Sequence, residues 1–133
     1  MRRRPTCCDA EPVSLRVLLV DDSEQFLRAA TSSLSRNGMQ VAGTATNSAT
    51  ALEQVAALSP DVVLVDVGLG DENGFDLVGQ LVDTFPDLAS RVVLISTRAE
   101  DDYADLVQAS PAAGFISKSD LSASAIHALV PTA

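Results

Sequence analysis

The chain has 133 residues, 47% apolar and 20% charged, with a formal net charge of −9. That length fits one domain able to bury a core without disulfide or metal staples. The acidic excess argues against a direct nucleic-acid surface, which needs clustered Lys and Arg, and suits a cation or a basic protein partner. No apolar run reaches membrane-spanning length, and PTCCDAEPVS after Met1–Arg4 lacks the apolar centre of a secretory signal. The adjacent Cys7 and Cys8 cannot frame a disulfide scaffold and match no zinc spacing, so a reducing, cytoplasmic setting is expected.

Residues 1–14, with Pro5 and Pro12 and no periodicity, read as a disordered N-terminal tail, and residues 15–133 as one folded domain. Leu15–Val20 is the first predicted strand and ends in Asp21-Asp22-Ser23. Phe26, Leu27, Ala30 and Leu34 then mark one face of a helix that Asn37-Gly38 closes. Met39–Thr44 is a weaker strand whose small residues suit a sheet edge. Thr46-Asn47-Ser48 starts a second helix with Leu52, Val55 and Ala56 as its apolar stripe, and Ser59-Pro60 breaks it.

Val62–Val65 is a short, β-branched, wholly apolar run, the signature of a parallel strand covered on both faces. It runs straight into Asp66, and a glycine-containing loop leads to a third helix opened by Gly74, with Leu77, Val78, Leu81 and Val82 inward. Val92–Ile95 repeats the apolar run and finishes at Ser96-Thr97. Glu100, Asp101 and Asp102 suit the first turn of a fourth helix carrying Tyr103, Leu106 and Val107. Gly114–Ser117 is the last strand, followed at once by Lys118, with Ser119-Asp120 capping a helix through Leu121, Ala125, Ile126 and Leu129. Five strands alternating with five helices predict an α/β, doubly wound, five-stranded parallel sheet of strand order 2-1-3-4-5, flavodoxin-like, without a second domain.

Such sheets do their chemistry where the strands end. The ends here supply Asp21 and Asp22, Asp66, Ser96 and Lys118. Asp at a strand end is often only a turn residue, Ser a helix cap and Lys a solvated charge. The joint pattern on four strands is what those readings explain badly, and Lys118 is the sole lysine among nine basic residues. Three carboxylates in one crevice repel one another, and a hard divalent cation, Mg²⁺ (or Mn²⁺), relieves that repulsion. A carboxylate beside such an ion, a hydroxyl and a lysine is equipped to capture a phosphoryl group as an aspartyl-phosphate.

Through LLVDDS (Leu18–Ser23), VLVDVGLGDENG (Val63–Gly74), VVLIST (Val92–Thr97) and GFISKSDL (Gly114–Leu121), residues 15–129 resemble the receiver domain of two-component response regulators. The resemblance implies that Asp66 is the phosphoacceptor. Asp21 and Asp22 look like the metal-binding acids, Asp22 directly and Asp21 through water, with the Gly68 carbonyl a further ligand. Ser96 and Lys118 look like the phosphoryl contacts, and Ser96 with Phe115 like the conformational switch. It further implies a signalling domain, not an enzyme acting on a substrate. A sensor histidine kinase or phosphotransfer protein would donate the phosphoryl group. The face of the fourth helix, fifth strand and fifth helix would bind a downstream protein or a second copy. Ser119, Gly70 and Thr97 depart from the usual pattern: they stand where Pro, Pro and a smaller residue are common. Thr97 is expected to slow phosphoryl access. A phosphorylation-independent interaction module is the alternative. A dehalogenase-type phosphatase is disfavoured because Gly68 stands where its second Asp belongs, and His127 reads as a surface residue.

Overall fold

The computed structural model describes residues 16–69, 72–96, 105 and 109–130. The expectations for the tail with Cys7 and Cys8, for Gly70 and Thr97, and for most of the fourth helix lie outside the described residues.

The chain runs β1 (Arg16–Val20), α1 (Glu24–Arg36), β2 (Gln40–Ala45), α2 (Ser48–Leu58), β3 (Val62–Asp66), α3 (Gly74–Thr84), β4 (Val92–Ser96) and β5 (Gly114–Ser117), then a C-terminal helix (Ala123–Leu129). The five strands form one parallel sheet of order β2-β1-β3-β4-β5, the arrangement expected from the sequence. No helix among the described residues is long and apolar enough to cross a membrane.

Every residue of β3 and β4 is buried, as are Val17–Val20 of β1. Alternation distributes these side chains to the two faces of the sheet. Val17, Leu19, Val62, Leu64, Val93 and Ile95 pack with Leu27, Ala30 and Leu34 of α1 and Ile126 of the C-terminal helix. Leu18, Val20, Val63, Val65, Val92 and Leu94 pack with Ala51 and Val55 of α2 and Leu77, Val78 and Leu81 of α3. Burying each such side chain fully contributes about 1.5–3 kcal/mol, which holds the central strands in a fixed register. That rigidity sets the positions of the residues at the strand ends.

Three local expectations are corrected, and one loop gains detail. The N-cap of the last helix is Ser122, whose Oγ accepts from Ala125 N at 3.0 Å, whereas Lys118–Asp120 form a separate 3-10 turn. That turn lets the chain leave β5 before the helix begins, so Leu121 precedes the helix. The stripe of α2 turns on Ala51 and Val55; Leu52 is half-buried and Ala56 exposed. β2 sits one residue later than read, ending at Ala45, because the Asp21 N–H reaches the Ala45 carbonyl at 3.0 Å and extends the pairing. The loop after Asp66 contains a two-residue antiparallel ribbon, Gly68–Leu69 against Glu72–Asn73.

Candidate functional site

β1 and β3 are neighbours in register Val20↔Val65, so the next residues, Asp21 and Asp66, emerge side by side. This is the point where the strand order reverses, and the crevice there opens beyond the strand ends. Asp21 is 0% exposed and is fixed at both ends: its N–H donates to Ala45 O, and its Oδ1 accepts from Ser23 N at 2.8 Å. Ser23 in turn caps α1 by accepting from Phe26 N at 3.3 Å. Asp22, one residue on, faces solvent. Asp66 is buried, 7% exposed.

Carboxylate oxygens of Asp21, Asp22 and Asp66 lie within 4.8 Å of one another. The Lys118 ammonium enters from β5, 2.5 Å from Asp21 Oδ2 and 3.7 Å from Asp66 Oδ2. Among the described residues this ion pair is the only polar contact to that buried oxygen. One positive charge thus faces three negative ones. The Asp66 carboxyl responds: it is raised from 3.8 to about 6, first by burial and then by the Asp21 charge, with Asp22 adding a little. Lys118 and a hydrogen bond from the Gly68 backbone oppose the rise. Three clustered hard oxygen donors, two of them on buried residues and balanced by one ammonium, fit a divalent cation such as Mg²⁺ or Mn²⁺.

Ser96 ends β4, one position beyond the Asp66↔Ile95 pair, and is 5% exposed. Phe115 pairs with Leu94 and is half-buried against the α2–α3 face of the sheet. The fold therefore gathers Asp21, Asp22, Asp66 and Lys118 in one crevice and sets Ser96 on the adjoining strand end, while Phe115 lies further back along β5.

Two contacts at the site have no signal in the sequence. Gly74 begins α3 directly against the end of β3: a Cβ there would lie 2.2 Å from Asp66 O and 2.9 Å from Val67 Cα. Its N–H donates to Val67 O at 2.9 Å, so a bare backbone lets the helix close on the end of β3. Phe26 belongs to the apolar face of α1 by its spacing, yet its ring centroid lies 4.3 Å from Lys118 Nζ. A periodic pattern cannot distinguish that position from a core residue.

The response regulator receiver domain family model matches residues 17–130. The chain is 42% identical over 93 residues to the transcriptional regulatory protein KdpE of Mycobacterium tuberculosis, covering 70% of this chain and 38% of that protein. It therefore spans well under half the length of that relative. The chemotaxis protein CheY of Thermotoga maritima is 29% identical over 85 residues, covering 64% of this chain and 69% of that protein. Among solved structures, the signal receiver domain of the response regulator NarL from M. tuberculosis superposes with a TM-score of 0.74 at 30% identity, covering 88% of this chain and 94% of that one. A response regulator from Burkholderia pseudomallei, with a phosphorylated aspartic acid, a calcium ion and citrate, superposes with a TM-score of 0.73 at 27% identity, covering 90% and 68%. The match across nearly the whole folded sheet, with the acidic crevice at its switch point, means that this chain belongs to the response regulator receiver domain family of two-component signalling.

Proposed function

We propose that the chain is a receiver that accepts a phosphoryl group on Asp66 from a sensor histidine kinase or a phosphotransfer protein and signals to protein partners by a conformational switch. The observation that carries this reading is the placement of a buried Asp66 between Asp21 and Lys118 at the switch point of the sheet. With a carboxyl raised to about 6, roughly nine-tenths of Asp66 is ionised at pH 7 and needs no general base. Its oxygen attacks phosphorus in line. The bond from phosphorus to the donor's histidine nitrogen breaks, and the imidazole leaves with the electron pair. Lys118 then turns from Asp21 toward the phosphoryl oxygens, and the Ser96 hydroxyl donates to another.

Asp21, Asp22, Asp66 and the Gly68 carbonyl would hold Mg²⁺ or Mn²⁺, Asp22 directly and Asp21 through water. A bound ion would neutralise charge on the transferring group. The B. pseudomallei relative, with its phosphorylated aspartic acid and calcium ion, supports this assignment.

The output is a shift of population. Inverting a 1:99 equilibrium takes roughly 5.5 kcal/mol. Charge-assisted bonds are worth ~1.5–3 kcal/mol each, so contacts to Ser96 and Lys118 nearly suffice if formed fully only in the active state. Phe115 packs inward as Ser96 moves, and the face of the fourth helix, β5 and the C-terminal helix binds a downstream protein or a second copy. Residues 15–133 act as the receiver unit, in the cytoplasm, without direct contact to nucleic acid or membrane.

Intact mass after incubation with Mg²⁺ and acetyl phosphate tests the proposal. One added phosphoryl group on the wild type and none on Asp66→Asn is the expected result. No addition, even from phosphorylated kinases, overturns it in favour of a phosphorylation-independent interaction module.

A further inference from the structure

Lys118 is the chain's only lysine, and its surroundings are unusual for a mobile cation. Its side chain is only 14% exposed. On one side stand the carboxylates of Asp21 and Asp66; on the other is the face of Phe26, 4.3 Å from the ammonium. The stem and the ring share the wall of a cavity of about 170 Å³ with Ala30, Leu34 and Leu121. Phe26 rises from α1 one residue before the core position Leu27, and its N–H is the one that caps on Ser23. Ser23 links the two residues: its N–H donates to Asp21 Oδ1, and its Oγ accepts from the Phe26 backbone.

A cation that must leave one carboxylate and meet an incoming anion needs a support that does neither job itself. A further carboxylate there would add to the repulsion among the three already clustered and would oppose a phosphoryl dianion. An apolar aliphatic residue would exclude water but offer the ammonium nothing. An aromatic face attracts the cation through its quadrupole, carries no net charge, and lets the ammonium slide across it. At a site this dry, such a contact corresponds to a population ratio of roughly five- to thirtyfold.

We propose that Phe26 is a positioning residue for the phosphoryl-transfer reaction. Its ring holds the Lys118 ammonium within reach of the Asp66 oxygens when Asp21 gives up that charge to a bound cation or to the phosphorylated state. The proposal rests on the reading of Asp66 as phosphoacceptor. It adds a residue of α1 to a site otherwise built from strand ends.

Two measurements test it. Because there is a single lysine, selective ¹³C,¹⁵N-lysine labelling gives one set of side-chain signals. The wild-type Cε methylene should lie upfield from the ring current of Phe26, and Phe26→Leu should remove that shift, with or without phosphorylation. The second is the rate of phosphorylation by acetyl phosphate, followed by intact mass, with Phe26 replaced by mono-, di- and trifluorophenylalanine. These keep the shape of the ring while weakening its negative face, so a defect cannot be laid to misfolding. The rate should fall stepwise with fluorine number, at least threefold at trifluoro, and about fivefold or more for Phe26→Leu. An unshifted Cε signal in the wild type overturns the contact. A rate indifferent to fluorination, in a protein that is phosphorylated, overturns the positioning role. Failure of the wild type to accept phosphate at all overturns the reading of Asp66 and this role with it, and the lysine signal still reports whether the contact exists.

Discussion

Asp66→Asn should make the metal-free protein more stable at neutral pH. The substitution keeps the shape of the side chain and removes a charge that the fold disfavours. Burial and the Asp21 charge raise the carboxyl from 3.8 to about 6 in the folded state. A folded value above the unfolded one means that the native state binds the proton more tightly. Stability is then fully present below about pH 4 and is lost as pH rises through about 6. At about 1.36 kcal/mol per pH unit, the rise from 3.8 to about 6 amounts to ~3 kcal/mol once Asp66 is ionised. The asparagine variant escapes that loss. In urea titrations with a chelator at pH 7.5, its midpoint should exceed that of the wild type by ~1.5 M, taking a slope of roughly 2 kcal/mol/M. The gap should close as the pH falls from about 6 to about 4. Equal midpoints at pH 7.5 would refute the reasoning, because Asp66 would then be as comfortable ionised in the fold as in water. A gain of the same size at pH 4 would refute it as well, since a pH-independent gain comes from packing and not from charge.

Three other predictions follow from the same geometry. Mg²⁺ at a hundredfold over its dissociation constant should stabilise the wild type by ~2.7 kcal/mol, chelator should reverse the effect, and Asp22→Asn should lose most of it in the same urea titration. Gly74→Ala should cost ~3 kcal/mol or more by thermal or urea unfolding and should slow the proposed phosphorylation, because its Cβ would sit 2.2 Å from Asp66 O and force β3 or α3 to move. Ser122→Ala should cost ~1 kcal/mol by removing the cap on Ala125 N, while Ser119→Ala should change stability by less than ~0.5 kcal/mol; the reverse order would return the cap to Ser119.

The apolar runs VLLV, VVLV and VVLI were legible as buried strands because a strand covered on both faces needs no polar alternation. Their connections then admitted one handedness, and the sheet order followed. The charged residues of the site were legible for a related reason: each stands where an apolar run stops, and a topology that aligns strand ends brings them together. The helix that ends the chain was misplaced at its start because Ser119, Asp120 and Ser122 are all good caps. Only the path of the chain out of β5 chooses among them. The Ala56 error in α2 is of the same kind, since alanine satisfies an inward or an outward position equally.

The sequence by itself thus determined the fold class, the strand order and the set of acids, hydroxyl and lysine at one edge, because these depend on one-dimensional patterns that hydrophobic burial and chain connectivity translate directly. The tertiary structure alone decided that Lys118 rests on Asp21 in preference to Asp66, that the Phe26 ring faces its ammonium, and that Gly74 closes on the end of β3. Each of these is a contact of a few ångströms between segments distant in the chain. Its sign and strength depend on burial and on neighbouring charges, which no single stretch of residues carries.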